Sequence, residues 1–274
     1  MIMMTASDWS SVAASWEAHS AGIEETSATV TEALLAAAAI APGENVLELS
    51  AGTGHLATHL VELVGPDGSL VASDVAPEFV AVLERRLANA PTASVATIDA
   101  AAIAGPPAAH DAVVCRMGLM FVPEPVEALR EIRRVLRPGG RLAATVWGTP
   151  DNNPWMVSVG FATMMTGLLN GPMPTEPGGP FSLGDPDELE KLAREAGFGD
   201  VSVEVVSYTR RYASADELFD MVRVLAPPIA AALANASPQQ LAAARTTAAD
   251  FITQYRCDDG SYDVPACALV LLAS

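Results

Sequence analysis

Five short apolar runs recur along the first half of the chain: NVLELS (45–50), SLVASD (69–74), SVATID (94–99), DAVVCR (111–116) and RLAATVW (141–147), with helix-length segments between most of them. Runs of this kind suit strands buried on both faces, and parallel neighbours must be joined by a crossover long enough for a helix. The alternation therefore predicts βαβ units around a parallel sheet. The turns agree with it: Pro42-Gly43, Gly65-Pro66-Asp67-Gly68 and Pro138-Gly139-Gly140 each stand just before a strand, where a helix must stop. Half of the 274 residues are hydrophobic, enough for a sizeable core in one domain.

The texture changes after Trp147. A Pro/Gly-rich passage, GTPDNNPW and later NGPMPTEPGGPFSLGDP, brackets a Met-rich helical segment at 155–169 and reads as an insertion over a site. Further helices are expected at 186–196, 215–226 and 238–256. Asp185, Ser214 and Ser237 stand at their N-caps, with Glu188, Glu217 and Gln240 three residues on. VSVEVVSY (201–208) and VPACALVLLA (264–273) add two late strands. The divisions expected within the single domain are a helical lid (1–41), a core (42–147) and cap segments (148–184 and 213–260).

The formal net charge is −18, from 33 acidic against 15 basic residues of which only Lys191 is a lysine. Such a balance disfavours a phosphate-backbone surface, so nucleic acid is not an expected partner. Cys115, Cys257 and Cys267 have no C-x-x-C spacing, which favours free thiols in a reducing compartment, with a Cys257–Cys267 pair as the alternative. MIMMTASDWS has neither a basic region nor an apolar one, and no stretch is long enough to span a bilayer. A cytoplasmic protein without membrane insertion is expected.

Gly52-x-Gly54-x-x-Ala57 lies between a strand and a helix, and Asp74 ends the next strand 22 residues beyond Gly52. Glycines there let a ligand approach the backbone, and a carboxylate at that distance suits ribose hydroxyls. The alternative is a tight strand-to-helix turn whose glycines only permit packing. Glu48 separates the possible ligands. A carboxylate aimed at the loop favours an ammonium and disfavours a pyrophosphate, since like charges in a partly dry cleft repel strongly. It equally suits a carboxylate that braces the loop.

In order along residues 42–208, VLELSAGTG, VASDVAPEF, TIDA, DAVVCRMGLMFVPEPVEALREIRRVLRPGGRLAATVWG and GDPDELEKLAREAGF resemble the successive motifs of class I S-adenosylmethionine-dependent methyltransferases, in their small-molecule, ubiquinone-methyltransferase-like branch. The resemblance implies a Rossmann-like α/β fold: a seven-stranded, mostly parallel sheet with a reversed final hairpin, helices on both faces, and helical cap insertions. It also implies S-adenosylmethionine as cofactor. Glu48, Ser50, Ala51, Gly52 and Gly54 would form its methionine end. Asp74 would accept the ribose hydroxyls, Val75 would lie against adenine, and Asp99 with the backbone of Ala100 would read the adenine edge. Arg116 and Met117 would sit under the sulfonium, and Trp16 occupies the place of an aromatic residue near the cofactor. The chain departs from the family at 48, where Asp is commoner, and at 50–51, where Gly-Cys is.

Methyl transfer from a sulfonium is an in-line displacement in which alignment supplies much of the rate, so a base is needed only where the acceptor must lose a proton. His19 is the candidate base, because the segment carrying it folds over the cofactor in the resembling family; the alternative is a surface histidine. His55 and His59 have i, i+4 spacing but no third ligand, so no metal is expected; His110 is expected to be solvated. Met117, Met120, Met156, Met164, Met165 and Met173 suit either a pliable apolar acceptor pocket or core filling. Arg130, Arg133, Arg134, Arg137 and Arg141 follow helical spacing and are expected on a solvated face with Glu127 and Glu131. Asp151, Asn152 and Asn153 either bind substrate or form a turn.

The expected activity is O- or C-methylation of a small, largely apolar metabolite, as in natural-product biosynthesis, by a monomer or homodimer. The alternatives are a methyltransferase-fold enzyme catalysing a cyclisation, decarboxylation or hydroxylation, a cofactor-sensing binding module and, most weakly, a nicotinamide dehydrogenase.

Overall fold

A computed structural model describes residues 4–169 and 174–274. In chain order the elements are α1 (Ala6–Ala18), α2 (Ser20–Ala38), β1 (Asn45–Leu49), α3 (His55–Val64), β2 (Ser69–Asp74), α4 (Pro77–Leu87), β3 (Ala93–Thr97), β4 (His110–Arg116), α5 (Pro125–Val135), β5 (Leu136–Trp147), α6 (Pro154–Met165), α7 (Pro186–Glu195), β6 (Val201–Tyr212), α8 (Ala215–Leu225), α9 (Pro227–Ala234), α10 (Pro238–Ile252) and β7 (Tyr262–Ala273).

The strands form one seven-stranded sheet in the order β3-β2-β1-β4-β5-β7-β6. The first five run parallel, and β7 is antiparallel to both β5 and β6, which is the reversed hairpin expected of the late strands. Side-chain alternation divides the core in two. Val46, Leu70, Ala72, Ala112 and Val114 meet α2, α3 and α4 on one face. Leu47, Val113, Leu142 and Ala144 meet α5, α7 and the cap helices on the other. β1, β2, β4 and most of β5 are buried on both sides, which is why they read as unbroken apolar runs, whereas β3 at the sheet edge is partly exposed.

The N-caps form as expected: the Asp185 carboxylate takes the N–H groups of Asp187 and Glu188, and Ser214 takes that of Glu217. Ser237 and Gln240 complete a reciprocal capping box. Several expectations are corrected. β3 stops at Thr97, and α6 stops at Met165 instead of 169. The segment expected as one helix over 238–256 is α10 followed by a 3-10 turn at Thr253–Tyr255. α9 was not anticipated; Pro227 and Pro228 stand in its first turn, where a missing N–H breaks no bond.

The basic run divides at the end of α5. Arg130 and Arg134 pair with Glu127 and Glu131 on the exposed helix face, as expected. Arg137 and Arg141 lie on β5, so the helical spacing does not extend to them. They pair with Asp111 and with Glu44, the latter at 2.7 Å. The three cysteines are free thiols. No described helix is long and apolar enough to cross a membrane.

Candidate functional site

The strand order reverses between β1 and β4, and the crevice beyond the C-terminal ends of such strands is where open α/β sheets bind ligands. β1 runs there into a loop with Ser50 (φ 56°), Gly52 (φ 55°) and Gly54 (φ 80°) all left-handed, and α3 then starts at His55. The two glycines differ in role. A Cβ on Gly52 would point into open space, whereas one on Gly54 would stand 2.7 Å from Leu83 Cδ2. Gly52 leaves the cradle open; Gly54 lets the loop press against α4. The Asp74 carboxylate fixes the loop from β2, one oxygen accepting from Gly52 N–H at 3.0 Å and the other from Ala76 N–H at 3.0 Å. Each oxygen keeps a lone pair for a further donor.

Ser50 is in the left-handed region without being glycine, at a cost of about 1 kcal/mol, and Met117 at the end of neighbouring β4 is as well (φ 56°). Gly118 explains the closeness of the two turns: a side chain there would strike Ser50. Strained residues facing one another at adjacent strand ends are characteristic of sites held for a ligand.

Glu48 is 1 % exposed in the middle of the sheet, and its Oε2 has no hydrogen-bond partner. Burial pushes its carboxyl up to about 8; Arg116 opposes that shift, and Asp74 and Glu24 add to it. Burial likewise raises Asp74. Arg116 reaches up from β4 to α2, pairing with Glu24 at 2.5 Å and donating to Thr31 Oγ1 at 2.8 Å. Burial would raise Glu24, but the Arg116 guanidinium holds it below the usual carboxylate range. The pair latches the N-terminal helices over the loop.

The loop opens into a cavity of about 1390 Å³ that continues beneath the caps. Ser50, Ala51, Gly52, Asp74, Val75, Asp99, Ala100, Arg116 and Met117 line it on the sheet side, and Trp9 and Trp16 of α1 cover them. Trp9 packs edge-on to Phe121 with ring centroids 4.8 Å apart, and Trp16 edge-on to Phe79 at 6.0 Å. The Trp16 indole N–H is buried without an acceptor. The far chamber is apolar, with Trp147, Trp155, Met156, Met164 and Phe181 in its wall, and Arg210 of β6 closes it.

Of the residues anticipated from sequence, Glu48 and Gly54 thus lie behind the cavity wall and the other cofactor candidates lie in it. His19 is not brought to the site. It breaks the helix between α1 and α2, is exposed, and turns Nδ1 back to the Ser15 carbonyl at 2.8 Å. His55 and His110 are partly buried, each with a ring nitrogen lacking a partner, and burial lowers the pKa of both; the solvated His110 expected from its connecting position is therefore corrected. No metal-binding cluster occurs among the described residues. Met117, Met156 and Met164 line the cavity, Met120 is core, Met165 is exposed, and Met173 lies outside the described residues. Asp151 and Asn152 form the expected turn, a 3-10 turn closed by the Asn153 N–H on the Pro150 carbonyl, and the Asn153 side chain is in addition a brace. Fully buried, it accepts from Cys267 N–H at 3.0 Å and donates to Cys267 O at 3.0 Å, tying the start of α6 to β7. Sequence reading missed Arg210 and Gly118. Only the period of two through Tyr208, Arg210 and Tyr212 could have placed Arg210 on an inward face.

Residues 46–140 match the sequence profile of the methyltransferase-domain family. The fold is that of a putative methyltransferase from Bacillus halodurans, which is 17 % identical with a TM-score of 0.61 over 89 % of this chain and 97 % of that one. SpnF, a (4+2)-cyclase, shares it at 20 % identity and a TM-score of 0.51, over 89 % and 79 % of the two chains. The profile covers about a third of the chain, and the fold is one shared with the class of proteins described as methyltransferases. Within that class, the ubiquinone/menaquinone biosynthesis C-methyltransferase of Hahella chejuensis is 34 % identical over 113 residues, which are 40 % of this chain and 45 % of that protein. The chain thus spans about half the length of the curated relatives it matches.

Proposed function

We propose that the protein binds S-adenosylmethionine at the glycine loop and methylates an oxygen or carbon of a small, largely apolar molecule held under the caps. The volume of the cavity carries this reading. At about 1390 Å³ it exceeds the roughly 300–1,000 Å³ of a site for one small molecule, and it joins a nucleoside-type cradle to an apolar chamber. The residues present fit the cofactor. Gly52 leaves space for close approach, Asp74 and Asp99 offer carboxylate acceptors in the wall, and Glu48 with its unpartnered oxygen provides a buried negative pole for an ammonium.

When bound, the cofactor supplies an electrophilic methyl group on a sulfonium. The chain aligns and excludes water. The Met117 turn, held by its N–H to Thr145 O at 2.9 Å, sets the floor between cradle and chamber. The lid tryptophans and the Arg116–Glu24 latch close the roof. The described cavity residues include no His, Cys, Lys or Tyr to act as a base, so this wall relies chiefly on positioning. An acceptor that already loses its proton to water at neutral pH, such as an acidic phenol present as its phenolate or an acidic carbon present as its enolate, suits that wall. The C-methyltransferase name of the Hahella chejuensis relative favours carbon.

The same absence of a base favours a second reading, a cofactor-bound enzyme whose reaction is not methylation. Incubation of the protein with methyl-labelled S-adenosylmethionine and a metabolite extract separates them: a labelled product heavier by one methyl is expected. Cofactor binding without any such product supports the second reading and overturns the first. Binding of NAD in preference to S-adenosylmethionine overturns both.

A further inference from the structure

Arg210 is the one buried arginine with no acidic partner among the described residues. It is 2 % exposed, on the strand farthest along the sheet from β2 and β3, and its guanidinium lies over the Trp155 ring at 4.1 Å from the centroid. Nε donates to Tyr212 Oη at 2.8 Å and Nη2 to Thr26 Oγ1 at 2.7 Å. A guanidinium has five N–H donors; the buried Tyr208 hydroxyl also stands beside this one, and donors remain beyond these three hydroxyl groups. Arg86, Arg133 and Arg256 also lack an ion pair, but they stand partly or fully in water. Arg116, the other arginine in the cavity wall, is neutralised by Glu24. Asp74, Asp99, Glu124 and Glu176 line the same cavity, yet none of them pairs with Arg210.

A buried guanidinium stays charged, and burying a charge unpaired is unfavourable unless something neutralises it. Its place makes a ligand the natural partner. β6 is four strand spacings from β1, roughly 19 Å along the sheet, and runs parallel to it, so its C-terminal end opens on the same crevice as the glycine loop, and Arg210 lines the same cavity. Stacking on Trp155 and the bonds to Tyr212 and Thr26 fix the plane of the fork, leaving its free edge for a planar oxyanion bound through two N–H groups.

We propose that Arg210 anchors a carboxylate of the acceptor, so that the apolar body of the molecule fills the chamber and its far end reaches the cradle. The proposal rests on the reading of the chamber as an acceptor site. It makes the preferred acceptors apolar carboxylic acids, and it makes Arg210 a specificity-determining residue that is remote from the methyl group transferred.

The test is calorimetric titration of the full chain, with and without saturating S-adenosylhomocysteine, using 2-naphthoate and dodecanoate and the primary amide of each. Wild type is expected to bind at least one acid about tenfold or more tightly than its amide. Arg210→Met should abolish that preference while leaving amide affinity within about twofold, and Arg210→Lys should keep part of it. Should Arg210→Met fail to fold, Thr26→Val keeps the charge, releases one further N–H, and should retain the preference. Equal binding of acid and amide by wild type overturns the proposal, as does equal weakening of both by Arg210→Met or loss of the preference in Thr26→Val, because either would make the side chain a brace. Binding of S-adenosylhomocysteine is read separately: its failure sinks the cofactor reading, whereas normal binding without acid preference sinks the anchor alone.

Discussion

At the scale of single residues the most informative group is Glu48. Its carboxyl is raised from the ordinary 4.5 to about 8 by burial, so the folded protein holds a proton there that the unfolded chain loses near pH 4.5. The stabilising contribution of that proton is fully present below about pH 4.5 and is lost as pH climbs to about 8. Glu48→Gln, neutral and nearly isosteric, removes this loss. Its melting temperature relative to wild type should rise steadily between pH 5 and about pH 8.5, and a flat difference across that range would show that Glu48 is already ionised in the fold. The same proton couples to the ligand. An ammonium brought close lowers the carboxyl again, so cofactor binding at pH 7 should release protons in wild type and not in Glu48→Gln. Calorimetry in two buffers of different ionisation enthalpy measures this.

At the scale of elements, the seam between β7 and the start of α6 depends on the Asn153 side chain. Its amide satisfies both backbone groups of Cys267, and its Oδ1 also accepts the Trp155 indole N–H at 3.2 Å. Asn153→Ala would leave the buried Cys267 N–H and Trp155 indole N–H without this acceptor, the Cys267 carbonyl keeping Gly148 N–H, and should lower the free energy of unfolding by about 2–4 kcal/mol, measured in urea. Exposed Asn152→Ala should change it by less than about 0.5 kcal/mol. Comparable losses from both would mean that the seam is carried by the neighbouring strands. Trp155 also supports Arg210, so loosening α6 should reach the cavity as well as the fold.

At the scale of the whole molecule, the cavity lies between elements far apart in sequence: α1 and α2, the sheet edge, and the caps from α6 to α9. A ligand filling the cradle binds only the folded chain and therefore stabilises it. S-adenosylhomocysteine at one hundred times its dissociation constant should contribute about 2.7 kcal/mol and raise the melting temperature by roughly 5–10 °C. NAD at the same concentration should shift it by less than about 1 °C, because a pyrophosphate brings Glu48 no ammonium and meets the Asp74 carboxylate. An equal shift from both would remove the discrimination assigned to Glu48.

The sheet and its cradle were legible in the sequence because they depend on local chemistry. Buried parallel strands need continuous apolar runs, left-handed turns need glycine, and caps need particular side chains at fixed offsets. The ordered motifs from VLELSAGTG to RPGGR then pointed to the Rossmann-like fold, and Asp74 and Asp99 do lie in the cavity wall. What the tertiary structure decided was partnership across distance. Arg141 belongs to Glu44 and not to a helix face, Asn153 holds Cys267 instead of a ligand, and His19 turns away. Glu48 stood out in the sequence, but only burial shows that its Oε2 has no partner, and Arg210 looks like an ordinary strand arginine until its burial is seen. A pattern of residue types records which face a side chain takes, but an unmet charge is a property of everything packed around it, and that is settled only when the chain closes on itself.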